Sequence, residues 1–175
     1  MGMRVIAGTA KGHILTSPKG LDTRPTAGRV REAIFSSLFG RLAGAGVCDM
    51  FAGSGAMGVE ALSRGAASCV FFDNDESAAE AIRQNLAKTR LRGQVVLGDA
   101  LESVSCYGPF DIVFIDPPYE ENLYEEALAA ALPALKPSGM AVLETAGGYE
   151  PSAHGFDIIK QKDYNIARIH YLIKT

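Results

Sequence analysis

Apolar and polar positions along this chain follow two rhythms, and the change between them separates a short amino-terminal part from a longer body. Met3 to Ala7 and Gly12 to Thr16 are short runs rich in Val, Ile and Leu, joined by a turn containing Gly and Lys, which predicts a β-hairpin outside any main sheet. Pro18 to Pro25 reads as loop, and Thr26 is a fair N-cap for a helix from about Ala27 to Leu42. Val30, Ile34, Leu38 and Leu42 recur there every fourth residue, so their stripe should pack on the body.

From Gly46 onward the pattern is strand, glycine-rich turn, helix, repeated. Strands are predicted at Val47 to Phe51, Ser68 to Asp73, Gln94 to Leu97, Phe110 to Ile115 and Met140 to Glu144. Helices fall between them at Ala56 to Arg64, Glu76 to Lys88, Ala100 to Val104 and Leu123 to Leu135. Strands alternating with helices imply a mostly parallel sheet covered on both faces, because right-handed crossovers carry the helices there. Phe156 to Ile159 and Ile166 to Ile173, joined by the polar turn Lys162-Asp163-Tyr164-Asn165, follow one another without a helix and predict an antiparallel pair at one edge. The expected fold is thus α/β and Rossmann-like, a seven-stranded sheet with antiparallel carboxy-terminal edge strands, preceded by the hairpin and helix.

At 175 residues, 47% hydrophobic and 21% charged, the chain suits one domain with a small appendage. Its longest apolar runs fall far short of the roughly 20 residues of a membrane span, and no apolar signal-peptide core opens the sequence, which predicts a cytoplasmic location. Cys48, Cys69 and Cys106 are widely spaced and read as small core residues, and with three His they suggest no metal site. His13, His154 and His170 fall in peripheral segments and read as structural or solvent-exposed.

Charge changes the picture more. Residues 1–46 carry seven Lys or Arg against two acids, net +5, whereas residues 47–175 carry ten against eighteen, net −8. A basic arm on an acidic body would meet phosphates through the arm. We therefore expect residues 1–45 to be a hairpin-helix extension that meets phosphates and residues 46–175 to be the catalytic domain.

The candidate chemistry lies where strands end. Asp116-Pro117-Pro118-Tyr119 closes the fourth predicted strand. Both prolines fix φ and lack an N–H, and each restrains the residue before it to extended geometry, so acceptors there are held at set angles. The Asp116 carboxylate and Pro117 carbonyl can take the two hydrogens of an exocyclic –NH2, and Tyr119 offers a flat face to a base. Asp49-Met50-Phe51-Ala52-Gly53-Ser54-Gly55 closes the first strand with glycines that permit close approach of a ligand. Asp73, with Asn74 beside it, stands twenty residues after Gly53, where an acid can accept from ribose hydroxyls, and Asp75 is its near rival. Asp99-Ala100 ends the third strand and can receive an adenine amino group. Four acids on one rim would oppose the pyrophosphate of a dinucleotide but suit a sulfonium, so the expected cofactor is S-adenosylmethionine.

With Asp-x-Phe-Ala-Gly-Ser-Gly, the acid after the second strand, Gly98-Asp99-Ala100 and Asp-Pro-Pro-Tyr in this order, the chain resembles a class I S-adenosylmethionine-dependent methyltransferase acting on an exocyclic amine. More narrowly it resembles the bacterial small-subunit (16S) rRNA guanine-966 N2-methyltransferase family. Arg4-Val5-Ile6-Ala7-Gly8, Lys11-Gly12, Arg24-Pro25-Thr26, Arg29-Val30-Arg31-Glu32 and Glu60-Ala61-Leu62-Ser63-Arg64-Gly65 carry that likeness. The resemblance implies that Asp49, Phe51, Ala52, Gly53, Ser54 and Gly55 line the cofactor loop, that Asp73 and Asn74 hold the ribose end, and that Asp99 and Ala100 hold adenine. It implies that Asp116 to Tyr119 hold the guanine amine, and that Arg24, Thr26, Arg29 and Arg31 meet rRNA within a small-subunit particle, the enzyme acting as a monomer. Asp73 departs from the Glu expected in this family, one methylene shorter. Three other readings stand beside this one: a DNA adenine-N6 or cytosine-N4 methyltransferase, a non-catalytic RNA-binding module, and a nicotinamide oxidoreductase.

Overall fold

A computed structural model describes residues 3–18, 28–118 and 123–175. The body follows the predicted alternation. β1 (Gly46–Asp49) leads into α2 (Ala56–Ser63), β2 (Ser68–Asp73) into α3 (Glu76–Thr89), and β3 (Gln94–Leu97) into the short α4 (Ala100–Ser103) with a further 3-10 turn at Val104–Cys106. β4 (Phe110–Ile115), α5 (Tyr124–Ala134), β5 (Leu135–Ala146), β6 (Phe156–Tyr164) and β7 (Ala167–Lys174) complete it, and α1 (Gly28–Ser37) precedes it. The strands form one sheet in the order β3-β2-β1-β4-β5-β7-β6. β1 to β5 are mutually parallel, and β7 runs antiparallel to both β5 and β6. Two apolar clusters, one on each face, bury the central strands. Val47, Phe71, Ile112, Phe114 and Val142 point to the first, and Cys48, Phe72, Val113, Ile115 and Leu143 to the second.

Three boundaries differ from the sequence reading. α1 stops at Ser37, but Leu38 and Leu42 are still buried because the chain turns under the helix through Gly40. β5 begins at Leu135 with an irregular stretch, and its regular pairing with β4 starts at Met140, where the apolar run starts. β6 continues through the residues expected to turn, since nearly all its side chains are exposed and leave no apolar period to read.

The amino-terminal hairpin is reduced to one antiparallel bridge, Arg4 to Ile14, flanked by Val5 N to His13 O and Leu15 N to Met3 O bonds. Four further donors of this segment are captured by α2. Glu60, fully buried, accepts from Ile6 N (2.8 Å) and Ala7 N (3.0 Å), and Ser63 Oγ accepts from Ala10 N (2.9 Å) while donating to Ala7 O (2.6 Å). Ser63 O takes Thr9 N at 2.8 Å, so a helical face and a loop are stitched backbone to side chain. Arg64 Nε lies 2.7 Å from Glu60 and Arg31 Nε 3.8 Å from it.

That arrangement corrects the reading of Arg31. It is 2% exposed, donates to the Arg4 carbonyl and pairs with Glu60, so it braces the extension against α2 instead of facing solvent. A buried guanidinium persists only where a carboxylate and carbonyls compensate it. Cys106 is likewise corrected: it is exposed, whereas Cys48 and Cys69 are buried. His170 is fully buried in β7, its Nε2 3.0 Å from Thr145 Oγ1 and its Nδ1 3.0 Å from Gln161 Nε2. Burial lowers its pKa, and both ring nitrogens serve structural bonds.

Candidate active site

Strand order reverses between β1 and β4: from β1 the chain moves outward through β2 and β3, and from β4 outward the other way through β5. Ligands of open parallel sheets sit beyond the carboxyl ends of strands at such a point. The two segments that meet there are the loop after Asp49 and the Asp116-Pro117-Pro118 segment. Parallel pairing brings Asp99, Asp73, Asp49 and Asp116 in that order along one rim, spaced by strands about 4.8 Å apart.

The loop is drawn tight by Gly55 N donating to Ala52 O at 2.6 Å, with Gly53 (φ 54°) and Gly55 (φ 74°) both left-handed. Ala52 N donates to Phe72 O (2.9 Å), which ties the loop to β2. Asn85 of α3, fully buried, donates to the Ser54 carbonyl (2.8 Å) and exchanges bonds with Thr16, so the amino-terminal segment and the loop share one anchor. Phe51 is half-buried against the second apolar cluster.

Asp49 lies under the loop, 3% exposed, and its Oδ2 accepts from Gly58 N at 3.0 Å. A Cβ on Gly58 would stand 2.2 Å from the Phe71 ring, so only glycine lets α2 come close enough to make that bond. Burial pushes the Asp49 carboxyl up to about 7; the Gly58 bond opposes the shift, and the charge of Asp73 adds to it. Asp73, half-buried, bridges the rim: Oδ2 accepts from Gly53 N (2.7 Å) and Oδ1 from Asp75 N (3.0 Å). Burial raises its pKa, partly offset by those backbone donors. Each of its oxygens keeps a second lone pair for a hydroxyl. Asn74 is exposed beside it.

Asp75, the rival for the ribose, is the N-cap of α3 and accepts from Ser77 N (2.6 Å) and Ala78 N (3.4 Å). Bonds from Ser77, side chain then backbone, hold its pKa low. Its carboxylate is therefore committed to the helix. Asp99 is exposed at the rim and caps α4 through Leu101 N (2.8 Å), with Ala100 buried beneath. Asp116 is half-buried, Pro117 buried and Pro118 exposed. Tyr119, Arg24 and Thr26 lie outside the described residues. Arg29 is exposed in the first turn of α1.

One residue escaped the sequence reading. Glu144, half-buried on β5, lines a small cavity with Asp116, Ile34, Met57, Phe114 and Ile169. The β4–β5 register runs to Ile115 opposite Leu143, so Glu144 comes level with Asp116. Its signal was the one that marked the others, an acid at the end of an apolar strand.

This donor set fits a cationic ligand without phosphate: acceptors line the rim, and a buried acid waits for positive charge. With strand order reversed between β1 and β4, these features define a Rossmann-like methyltransferase fold.

Comparison with known proteins narrows the class. The family described as conserved hypothetical protein 95 matches residues 3–173, and the chain belongs to it. It is 38% identical over 128 residues to ribosomal RNA small subunit methyltransferase D of Escherichia coli (strain K12), an alignment covering 72% of this chain and 65% of that protein. To the Haemophilus influenzae protein of the same name it is 34% identical over 151 residues, covering 82% and 78%. Among solved structures, yhhF from Escherichia coli, a candidate methyltransferase, superposes with a TM-score of 0.87 at 31% identity, covering 99% of this chain and 98% of that one.

The Asp49 shift carries a pH prediction. Its folded pKa, about 7, lies above the ordinary aspartate value of 3.8, so folding favours the protonated form. Stability is then highest below about pH 4 on this account and declines as pH rises through 7, by up to about 4 kcal/mol at roughly 1.4 kcal/mol per unit. Asp49→Asn should flatten that decline in urea unfolding at pH 5 and pH 8. Added S-adenosylmethionine, a cation, should recover more wild-type stability at pH 8 than at pH 5. Equal slopes in wild type and variant would refute the assignment.

Proposed function

We propose that this chain transfers a methyl group from S-adenosylmethionine to the exocyclic N2 of a guanine in small-subunit (16S) rRNA. The placement of Asp116-Pro117 beside the glycine loop at the strand-order reversal carries this reading, and the names of the two methyltransferase D relatives support the rRNA substrate. In our reading Phe51 to Gly55 with Asp49 hold the methionine end, Asp73 and Asn74 the ribose, and Asp99 with Ala100 the adenine. When bound, the cofactor supplies an electrophilic methyl on sulfur.

Asp116 and the Pro117 carbonyl take one N–H each, which turns the nitrogen lone pair toward that methyl. The Asp116 carboxylate then stabilises the positive charge that grows on nitrogen and receives the departing proton, directly or through water. Pro118 keeps the segment rigid, and Tyr119 stacks on the base. A paired guanine hides this edge, so the target must be unpaired or flipped out. Residues 1–45 form the RNA-facing extension, with Arg24, Thr26 and Arg29 meeting phosphates, while Arg31 braces the Arg4 segment against α2. A cytoplasmic monomer acting on a small-subunit particle completes the proposal.

Transfer of radiolabelled methyl to 16S rRNA, followed by nucleoside mass spectrometry, tests the whole reading. N2-methylguanosine at one site is the expected product. Label in duplex DNA instead, or at another base atom, would replace it with the amino-methyltransferase alternative for DNA or with a different specificity.

Glu144 suits the neighbouring guanine N1–H, a donor that adenine lacks at N1. Glu144→Gln should lower kcat/KM on guanine about tenfold, the scale of one charged hydrogen bond, with cofactor affinity unchanged. Unchanged kcat/KM would remove Glu144 from base recognition.

A further inference from the structure

A basic strip leads away from the rim between α1 and β6. α1 descends from the rim: Ile34 lines the cavity beside Asp116 and Glu144, whereas Arg41, past its end, lines a second cavity with Asp111 and Ile112 at the amino end of β4. β6 runs toward the rim, because it is antiparallel to β7, which is antiparallel to β5. Lys162 therefore stands nearer the rim than Lys160. Both share the sheet face of Tyr171 and Ile169, their register partners, and so face the α1 side.

Lys160 Nζ donates to Ser37 Oγ at 2.9 Å and lies 5.4 Å from the centre of the Tyr171 ring, which fixes β6 to the last turn of α1. Arg29, eight residues before Ser37, is exposed about 12 Å nearer the rim. Phe39, just beyond the helix, is 93% exposed, and Arg41 beside it is exposed too.

Among the described residues, Arg29, Arg41, Lys160 and Lys162 form no ion pair, although Glu32 and Asp157 are exposed on the same side. The opposite face of β6 differs: there Arg168 is paired with both Asp163 and Glu150. Unneutralised cations beside a bare aromatic ring are what a single-stranded nucleic acid requires, charge for its phosphates and a flat surface for an unpaired base.

We propose that the single-stranded RNA flanking the target nucleotide runs along this strip, Lys160 and Lys162 meeting its phosphates and Phe39 stacking under one of its bases. The proposal rests on the methyl-transfer reading above and adds a second RNA contact, remote in sequence from the amino-terminal arm. It extends the substrate footprint from the rim down the side of the sheet.

The test uses the full chain with a naked small-subunit rRNA fragment containing the target, comparing Lys160→Glu/Lys162→Glu and Phe39→Ala with wild type. The double charge variant should raise the Kd for RNA about tenfold or more, and its slope of log affinity against log salt should fall by about 1.4, near 0.7 per lost phosphate. Phe39→Ala should raise the Kd for RNA with the salt slope unchanged, which separates stacking from charge. Cofactor affinity should stay at the wild-type value in both, and so should the melting temperature of Phe39→Ala.

Unaltered RNA affinity and salt slope in both variants would overturn the proposal. A defect seen only on assembled particles, with naked RNA bound normally, would assign the strip to a protein contact and overturn it as well. Because binding is read without turnover, these failures remain distinct from an absence of methyl transfer by the wild-type protein, which would sink the underlying function.

Discussion

Asp116→Ala should reduce kcat on the correct RNA by about a hundredfold to a thousandfold, the range seen when one preorganised stabiliser of transition-state charge is removed. Cofactor affinity should change little, because the glycine loop, Asp73 and Asp99 are held by their own bonds to Gly53, Asp75 and Leu101. Asp116→Asn offers a useful contrast. It preserves an acceptor oxygen for one amine hydrogen but removes the charge, so its kcat should fall between those of wild type and the alanine variant. Single-turnover rates with saturating cofactor, alongside calorimetric cofactor binding, separate the two effects. An alanine variant with near-normal turnover would end the assignment of Asp116 to the reaction.

The largest expected loss of stability comes from Glu60→Ala. That side chain is fully buried and accepts from Ile6 N and Ala7 N while facing Arg64 at 2.7 Å and Arg31 at 3.8 Å. Its removal leaves two backbone donors and the buried Arg31 cation without compensation, a change that costs about 3–5 kcal/mol. In a chain of this size that lowers the melting temperature by roughly 6–20 °C, at about 2–4 °C per kcal/mol. Arg31→Met in the Glu60→Ala background should restore part of the loss, since it removes the stranded charge. A melting temperature within a degree or two of wild type would show that the extension is held by its apolar contacts alone.

The sequence revealed β2, β3 and β4 to the residue, because each is an apolar run bounded by turn-forming residues, β2 and β4 largely buried and β3 half-buried at the sheet edge. Rim acids were legible for the same reason, as each interrupts such a run where it leaves the sheet. Capping was less visible. Asp75 and Asp99 accept from helix N–H groups, a role that depends on backbone geometry and leaves no mark in composition. Arg31 was misread because its partner lies 29 positions away on α2, and a charge pattern along one helix does not say which cation a distant carboxylate will bury. Lys160 and Lys162 were hidden differently: β6 exposes almost every side chain, so Lys160 fell just past the predicted strand and Lys162 in the predicted turn.

The stitching of Ile6, Ala7, Thr9 and Ala10 to Glu60 and Ser63 has a consequence for how this segment can vary. All four residues are held there through their main-chain N–H groups, so at Ile6, Ala7 and Thr9, which are not buried, most non-proline replacements keep the bonds. Gly8 is the exception, since a Cβ there would stand 1.8 Å from the Ser63 carbonyl oxygen. One residue inserted or removed between Ala7 and Ala10 would throw every donor after it out of step with α2, so this stretch tolerates a change of length less than a change of most side chains.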